Sequence, residues 1–100
     1  MTSRDIIIEK LKKELPTLKK NFGIKKIGLF GSAAKGLDNI ESDIDIFVDF
    51  EKPIGLQFMD FAEYIEKLLG KRVDILTTEG IKSIRIKEVA TDIKRNIIYV

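Results

Sequence analysis

Residues 43–49 alternate between two kinds of side chain. Ile44, Ile46 and Val48 take one parity; Asp43, Asp45, Phe47 and Asp49 take the other. A period of two belongs to an extended strand, whose successive side chains point to opposite faces. The pattern predicts a strand over residues 42–50, with an aliphatic row on one face and carboxylates on the other. Ile24 to Phe30, β-rich and stopped by Gly31, predicts a first strand, and Arg72 to Thr77 a third short one. Between and around them lie helical spacings. Ile7, Ile8, Leu11, Leu15 and Leu18 predict an amphipathic helix over about residues 3–21, capped by Ser3, with a kink or a break near Glu14–Leu15 where Pro16 intrudes. Leu56, Met59, Phe61, Ala62, Ile65, Leu68 and Leu69 form a second helical stripe, closed by Gly70. Residues 81–95 predict a last helix, and Ile97-Ile98-Tyr99-Val100 a terminal strand or a packed tail. The order helix, strand, strand, helix, strand, helix makes this an α/β (α+β) chain.

At 100 residues the chain has the size of one compact domain, expected to span residues 1–100. No internal repeat, low-complexity tract or long linker divides it. The sequence contains neither Cys nor His, which removes disulfides, thiolate nucleophiles, Cys-type zinc sites and histidine bases together. Chemistry is left to carboxylates, hydroxyls, Lys, Arg, Tyr and backbone amides, a set suited to Mg²⁺ and phosphate. No apolar run approaches the ~18 residues of a membrane span, and Met-Thr-Ser-Arg-Asp does not read as a signal peptide, so a cytoplasmic location is expected.

The net charge of +2 hides a division. Residues 1–37 carry nine basic and three acidic groups, residues 38–66 one and nine, and residues 67–100 eight and four, giving +6, −8 and +4. An acidic block between basic arms suits a cation site flanked by groups that attract polyanions, although solvated helix and loop charge produces the same count.

Asp43 and Asp45, two apart on a strand, aim two carboxylates at one point. Like charges so close repel unless a cation neutralises them, and Mg²⁺, which takes oxygen ligands, is the natural tenant. A solvated strand face is the alternative for so short a motif. Asp74 adds weight, since it stands between Val73 and Ile75 in an apolar strand where an unpaired acid is costly. A third carboxylate facing the same spot is what two divalent ions require, and two such ions can stabilise both the attacking and the leaving oxygen of a displacement at phosphorus. Asp38 and Asp49 read as solvated. Gly31-Ser32 follows the first strand directly. A glycine there lets backbone amides approach an anion, Ser32 adds a hydroxyl, and Gly36 closes the turn. An ordinary strand-to-helix connection with Ser32 as N-cap accounts for the same residues. A Ser32/Lys35 nucleophile pair would leave the aspartates unexplained.

Taken together these residues have a fixed layout: Gly31-Ser32, ten residues, Asp43-x-Asp45, and Asp74 on a later strand. This resembles the nucleotidyltransferases of the polymerase-beta-like superfamily, as do Ile27-Gly28-Leu29-Phe30 and Glu41-Ser42 around the motif. The short length and the stretch Phe50 to Thr77, with Pro53, Gly55 and Gly70-Lys71-Arg72-Val73-Asp74, are similar to the minimal nucleotidyltransferases. The fold so implied is a small mixed β-sheet packed against helices. By that resemblance Asp43, Asp45 and Asp74 are the metal-binding and catalytic carboxylates, holding two Mg²⁺ ions. Gly31 and Ser32, with Lys35 and Gly36, hold the phosphates of ATP, and Asp74 is the base toward the acceptor. Lys35 stands where the family often has Arg, keeping phosphate attraction without a bidentate grip.

Relatives of this kind resemble the antitoxin half of modules whose toxin is a HEPN-family ribonuclease. The activity so implied is transfer of AMP to a hydroxyl, expected to be a tyrosine of that partner. The apolar stripe of the first helix or the segment Ile97–Val100 could serve as partner surface, burial in the domain's own core being the competing assignment. Three other readings compete for the whole chain: an antitoxin that works by occlusion without catalysis, a small-molecule nucleotidyltransferase acting as a dimer, and, ranked last, nucleic-acid binding through the basic arms, which lack an aromatic platform.

Overall fold

In a computed structural model, residues 3–31, 44–82 and 95–100 are described. Helix α1 (Ser3–Phe22) leads into strand β1 (Ile24–Leu29). Then come β2 (Ile44–Phe50), helix α2 (Gln57–Leu69), β3 (Val73–Thr77), the short helix α3 (Thr78–Lys82) and the two-residue strand β4 (Ile98–Tyr99). The sheet has the order β3-β2-β1-β4. Strand β1 is antiparallel to both β2 and β4, whereas β2 and β3 are parallel. A parallel neighbour needs a crossover, which α2 provides. The mixed sheet with helices is the architecture expected from the sequence.

Both long helices pack on one face of the sheet. Ile7, Leu11 and Leu18 of α1 and Phe61, Ile65 and Leu69 of α2 meet Ile27, Leu29, Ile44, Ile46 and Val48 in one buried cluster. The stripe of α1 therefore builds this domain's own core. Phe61 sits at the centre, fully buried, with its ring edge-on to Phe22 and Phe50 at centroid distances of 5.4 and 5.3 Å.

Several local features depart from the sequence expectations. Helix α1 runs through Pro16 without a break. Pro16 and Lys12 are both exposed, so the Lys12 carbonyl that loses its partner lies toward water, which can donate to it instead. Strand β1 buries Ile24 and Ile27, three residues apart, because its register with β2 shifts between Ile24 and Lys26. The extra residue flips the parity so that both isoleucines reach the core face. The α2 stripe is narrower than its spacing suggests. Phe61, Ile65 and Leu69 are buried, but Leu56 is 90% exposed and Met59 73%. Leu56 lies before the first helical turn, and Met59 is about 160° around the helix from Phe61. Gly70 ends α2 in the left-handed conformation, its N–H donating to the Glu66 carbonyl at 2.8 Å. A short helix occupies Thr78–Lys82, and the helix expected over residues 81–95 lies mostly outside the described residues. The chain ends as a strand, with Val100 N–H donating to the Ile27 carbonyl at 2.9 Å.

Tyr64 Oη donates to Glu14 Oε2 at 2.7 Å and ties α2 to α1. The hydrogen bond to this carboxylate raises the Tyr64 pKa above its ordinary 10.0, with burial and the Glu14 charge acting in the same direction. The folded protein holds the phenolic proton more tightly than the unfolded chain. The tie therefore contributes fully below the unfolded pKa and is lost as pH rises through the raised one. Tyr64→Phe should lower the urea midpoint at neutral pH, and the gap to the parent protein should close in strongly alkaline buffer. A gap that stays constant across that range would show that the tie carries no pH-dependent stability.

Candidate active site

The end of β1 and the beginnings of β2 and β3 meet at one edge of the sheet. Leu29 pairs with Ile46, and the Phe30 N–H donates to the Asp45 carbonyl at 3.1 Å. One strand over, Asp45 is the register partner of Asp74. Directly paired residues on neighbouring strands point to the same face, with backbones about 4.8 Å apart. Two carboxylates from separate stretches of chain are thus held side by side. Their face lies opposite α1 and α2, and carries a second apolar cluster in which Phe47, Ile81 and Ile97 pack with Phe30 and Leu76.

Asp45 is half-buried and Asp74 is exposed. The expectation that Asp74 lies within apolar surroundings does not hold, because β3 is an edge strand and Asp74, on the side opposite Val73 and Ile75, is exposed. Like charges on directly opposed residues oppose pairing of the strands. A cation between the two groups would lower that repulsion.

Gly31 completes this edge. Its φ is +66°, and a Cβ built on it would run into the carboxylate of Asp45. The position needs glycine both for its backbone conformation and for the space the acid occupies. Gly31→Ala should cost about 1–2 kcal/mol from the left-handed conformation alone. It should also slow any reaction that relies on Asp45 roughly ten- to a hundredfold by shifting that carboxylate, since displacements near 1 Å have effects of that order. Parallel unfolding and activity assays check both, and a variant that keeps full activity would show that Asp45 need not stay where glycine allows it.

Of the other residues singled out in the sequence, Asp43, Ser32, Lys35 and Gly36, and Asp38 with them, lie outside the described residues. Among the described residues no group of three His, Cys, Asp or Glu side chains could hold a metal ion. Asp45 and Asp74 supply two hard oxygen donors on one side of the sheet, the type of donor that divalent cations of the Mg²⁺ class accept. The residues present therefore fit such an ion, with further ligands left to other groups, water or substrate. No described helix is long and apolar enough to cross a membrane.

The sequence reading missed one feature. At the far end of β2, Asp49, which looked merely solvated, is half-buried and borders a concavity, and Leu56 and Met59 are exposed. Both hydrophobic residues looked like core when read by spacing, and nothing in the linear pattern marks them as surface.

With this geometry in hand, comparison with known proteins gives a consistent picture. The sequence model of the nucleotidyltransferase domain matches residues 8–100. Protein adenylyltransferase MntA of Thermococcus cleftensis is 42% identical over 84 residues, covering 83% of this chain and 81% of the relative. A candidate protein adenylyltransferase of Methanocaldococcus jannaschii is 39% identical over 97 residues, covering 94% of each. Among solved structures, a candidate minimal nucleotidyltransferase superposes with a TM-score of 0.73 at 25% identity, covering 98% of this chain and 95% of the other.

Proposed function

Because this chain belongs to the nucleotidyltransferase domain family, with nucleotidyl transfer as its chemistry, we propose that it moves AMP from Mg²⁺–ATP to a hydroxyl of a partner protein. We take the acceptor to be a tyrosine of a HEPN-family ribonuclease toxin and the role to be that of an antitoxin. The observation that carries the reading is the pairing of Asp45 with Asp74 beside Gly31.

The reaction is a displacement at the α-phosphorus. The acceptor oxygen forms a bond to it, the bond to the bridging oxygen breaks, and pyrophosphate leaves with that electron pair. In this reading Asp43, Asp45 and Asp74 hold two divalent ions, while Gly31, Ser32, Lys35 and Gly36 cradle the β- and γ-phosphates. When bound, the ions supply neutralisation of the charge that builds on the attacking and leaving oxygens. Asp74 takes the proton of the acceptor hydroxyl. Its place on an exposed edge strand suits that task, since a side chain delivered by another protein can reach an open edge and not a closed cavity. Asp45, fixed by the hydrogen-bonded middle of the sheet and by Gly31, works as a positioning charge whose place does not shift between turnovers. Lys35 offers a point charge to the phosphates.

The test is direct. The protein is incubated with ATP, Mg²⁺ and the product of the neighbouring gene, and the partner is weighed by mass spectrometry, with Asp43→Asn as control. Addition of one or more AMP groups that disappears in the control supports the reading. An unmodified partner that is nevertheless silenced would overturn it in favour of occlusion.

A further inference from the structure

At the end of the sheet opposite Asp45 and Asp74, where β2 and β3 finish, the surface opens into a groove of about 380 Å³. Phe50, Ile54 and Phe58 give it an apolar lining, and Asp49, Glu51 and Glu79 an acidic one. Among the described residues neither Asp49 nor Glu51 has an ion-pair partner. Thr78, which also lines the groove, has a buried hydroxyl without a hydrogen-bond partner among the described residues. Leu56 and Met59, the two most exposed large hydrophobic side chains among the described residues, directly follow Gly55 and Phe58 of the lining along the chain. Hydrophobic residues exposed singly need no explanation. Here two of them adjoin, along the chain, a concavity lined by Asp49 and Glu51 and by an unused hydroxyl.

We infer that this groove is a docking site for a basic segment of the acceptor protein, anchored by apolar side chains on Leu56 and Met59; the inference rests on the reading of the chain as a protein-modifying transferase. Charge decides the occupant. Among the described residues acids line the groove and no Lys or Arg does, so the partner segment must bring Lys or Arg. A nucleotide is disfavoured, because its phosphates would face Asp49 and Glu51 with no lysine or arginine in the described lining. A second copy docked by the same face would set acid against acid. The groove is also remote from the chemistry. Asp49 lies four residues along β2 from Asp45, about 13 Å at the rise of a strand. A segment bound there would tether the acceptor without occupying the transfer site, and would raise the local concentration of its hydroxyl.

The experiment uses the whole protein and three fluorescein-labelled twelve-residue peptides: one pairing Lys with Leu, one with Glu in place of Lys, and one with Ser in place of Leu. Fluorescence anisotropy gives affinity, and methyl NMR of Met59 and Leu56 gives location. The Lys/Leu peptide should bind at least tenfold more tightly than either of the others and shift both sets of methyl signals. Leu56→Ser/Met59→Ser should weaken it about tenfold, and Glu51→Lys by a similar factor. With the protein acceptor, the double variant should raise KM at least tenfold and leave kcat unchanged. Equal binding of the acidic peptide would overturn the inference. So would methyl shifts produced by ATP alone, or by protein concentration alone, which would give the groove to nucleotide or to a second copy. The two readings fail separately. An unchanged KM in a variant that still transfers AMP removes the docking site and spares the transferase, whereas peptide binding as described by a protein that modifies no acceptor spares the groove and removes the transferase reading.

Discussion

Asp45→Asn should reduce AMP transfer by about a thousandfold and change the unfolding free energy by less than about 1 kcal/mol. The substitution keeps the shape of the side chain and its contact with Gly31, and removes only the charge. Its effect on the sheet is small because two opposing changes meet there. The Asn loses whatever the carboxylate gains from its surroundings, and the repulsion from Asp74 across the strand pair disappears with it. Catalysis has no such compensation. A thousandfold is about 4 kcal/mol in the barrier, the scale associated with removing one preorganised charge at a phosphoryl- or acyl-transfer centre. Single-turnover transfer and urea unfolding, run on the same preparation, separate the two. Activity within tenfold of the parent would remove Asp45 from the reaction, and a large loss of stability would make it a structural residue.

Phe61→Ala should have the largest effect on folding, about 3–5 kcal/mol. Phe61 is fully buried against the rings of Phe22, Phe50 and Phe58, so its removal strips edge-on contacts from α1 and the end of β2 and a tilted one from α2 itself. Three elements cannot all close on one void, which places the expected value toward the upper part of that range. Against a total of about 5–15 kcal/mol for a domain of this kind, the variant should melt on the order of 20 °C lower. Calorimetry checks the shift. A loss below about 1.5 kcal/mol would mean that α2 settles into the space, and that the rings contribute area without specific packing.

Much of this architecture can be read in the chain because one face of the sheet is aliphatic and the other is not. Ile44, Ile46 and Val48 lie in the core as their alternation demands, and Leu11, Leu18, Ile65 and Leu69 follow helical spacing into the same cluster. Gly31 stands out in the sequence as a stop. Its second role, making room for Asp45, is a contact across strands that no local pattern encodes. The same holds for the register of Asp45 with Asp74. Sequence shows two acids in two strands, but which residues face each other depends on how α2 returns the chain to the sheet. Spacing alone misassigned Leu56 and Met59, because a helical stripe says which residues share a side and not how much of that side is covered. The register shift in β1 has a trace, the three-residue interval between Ile24 and Ile27, which a strict period of two cannot bury.

The distance between the two acids is gauged by main-chain hydrogen bonds between adjacent strands, whereas the helices press on the reverse of that same layer. Interstrand spacing is nearly invariant among proteins, so it should tolerate wholesale exchange of the hydrophobic interior. Selection for heat tolerance, or a designer seeking it, is therefore free to rewrite the helical side of this molecule without recalibrating the reactive one.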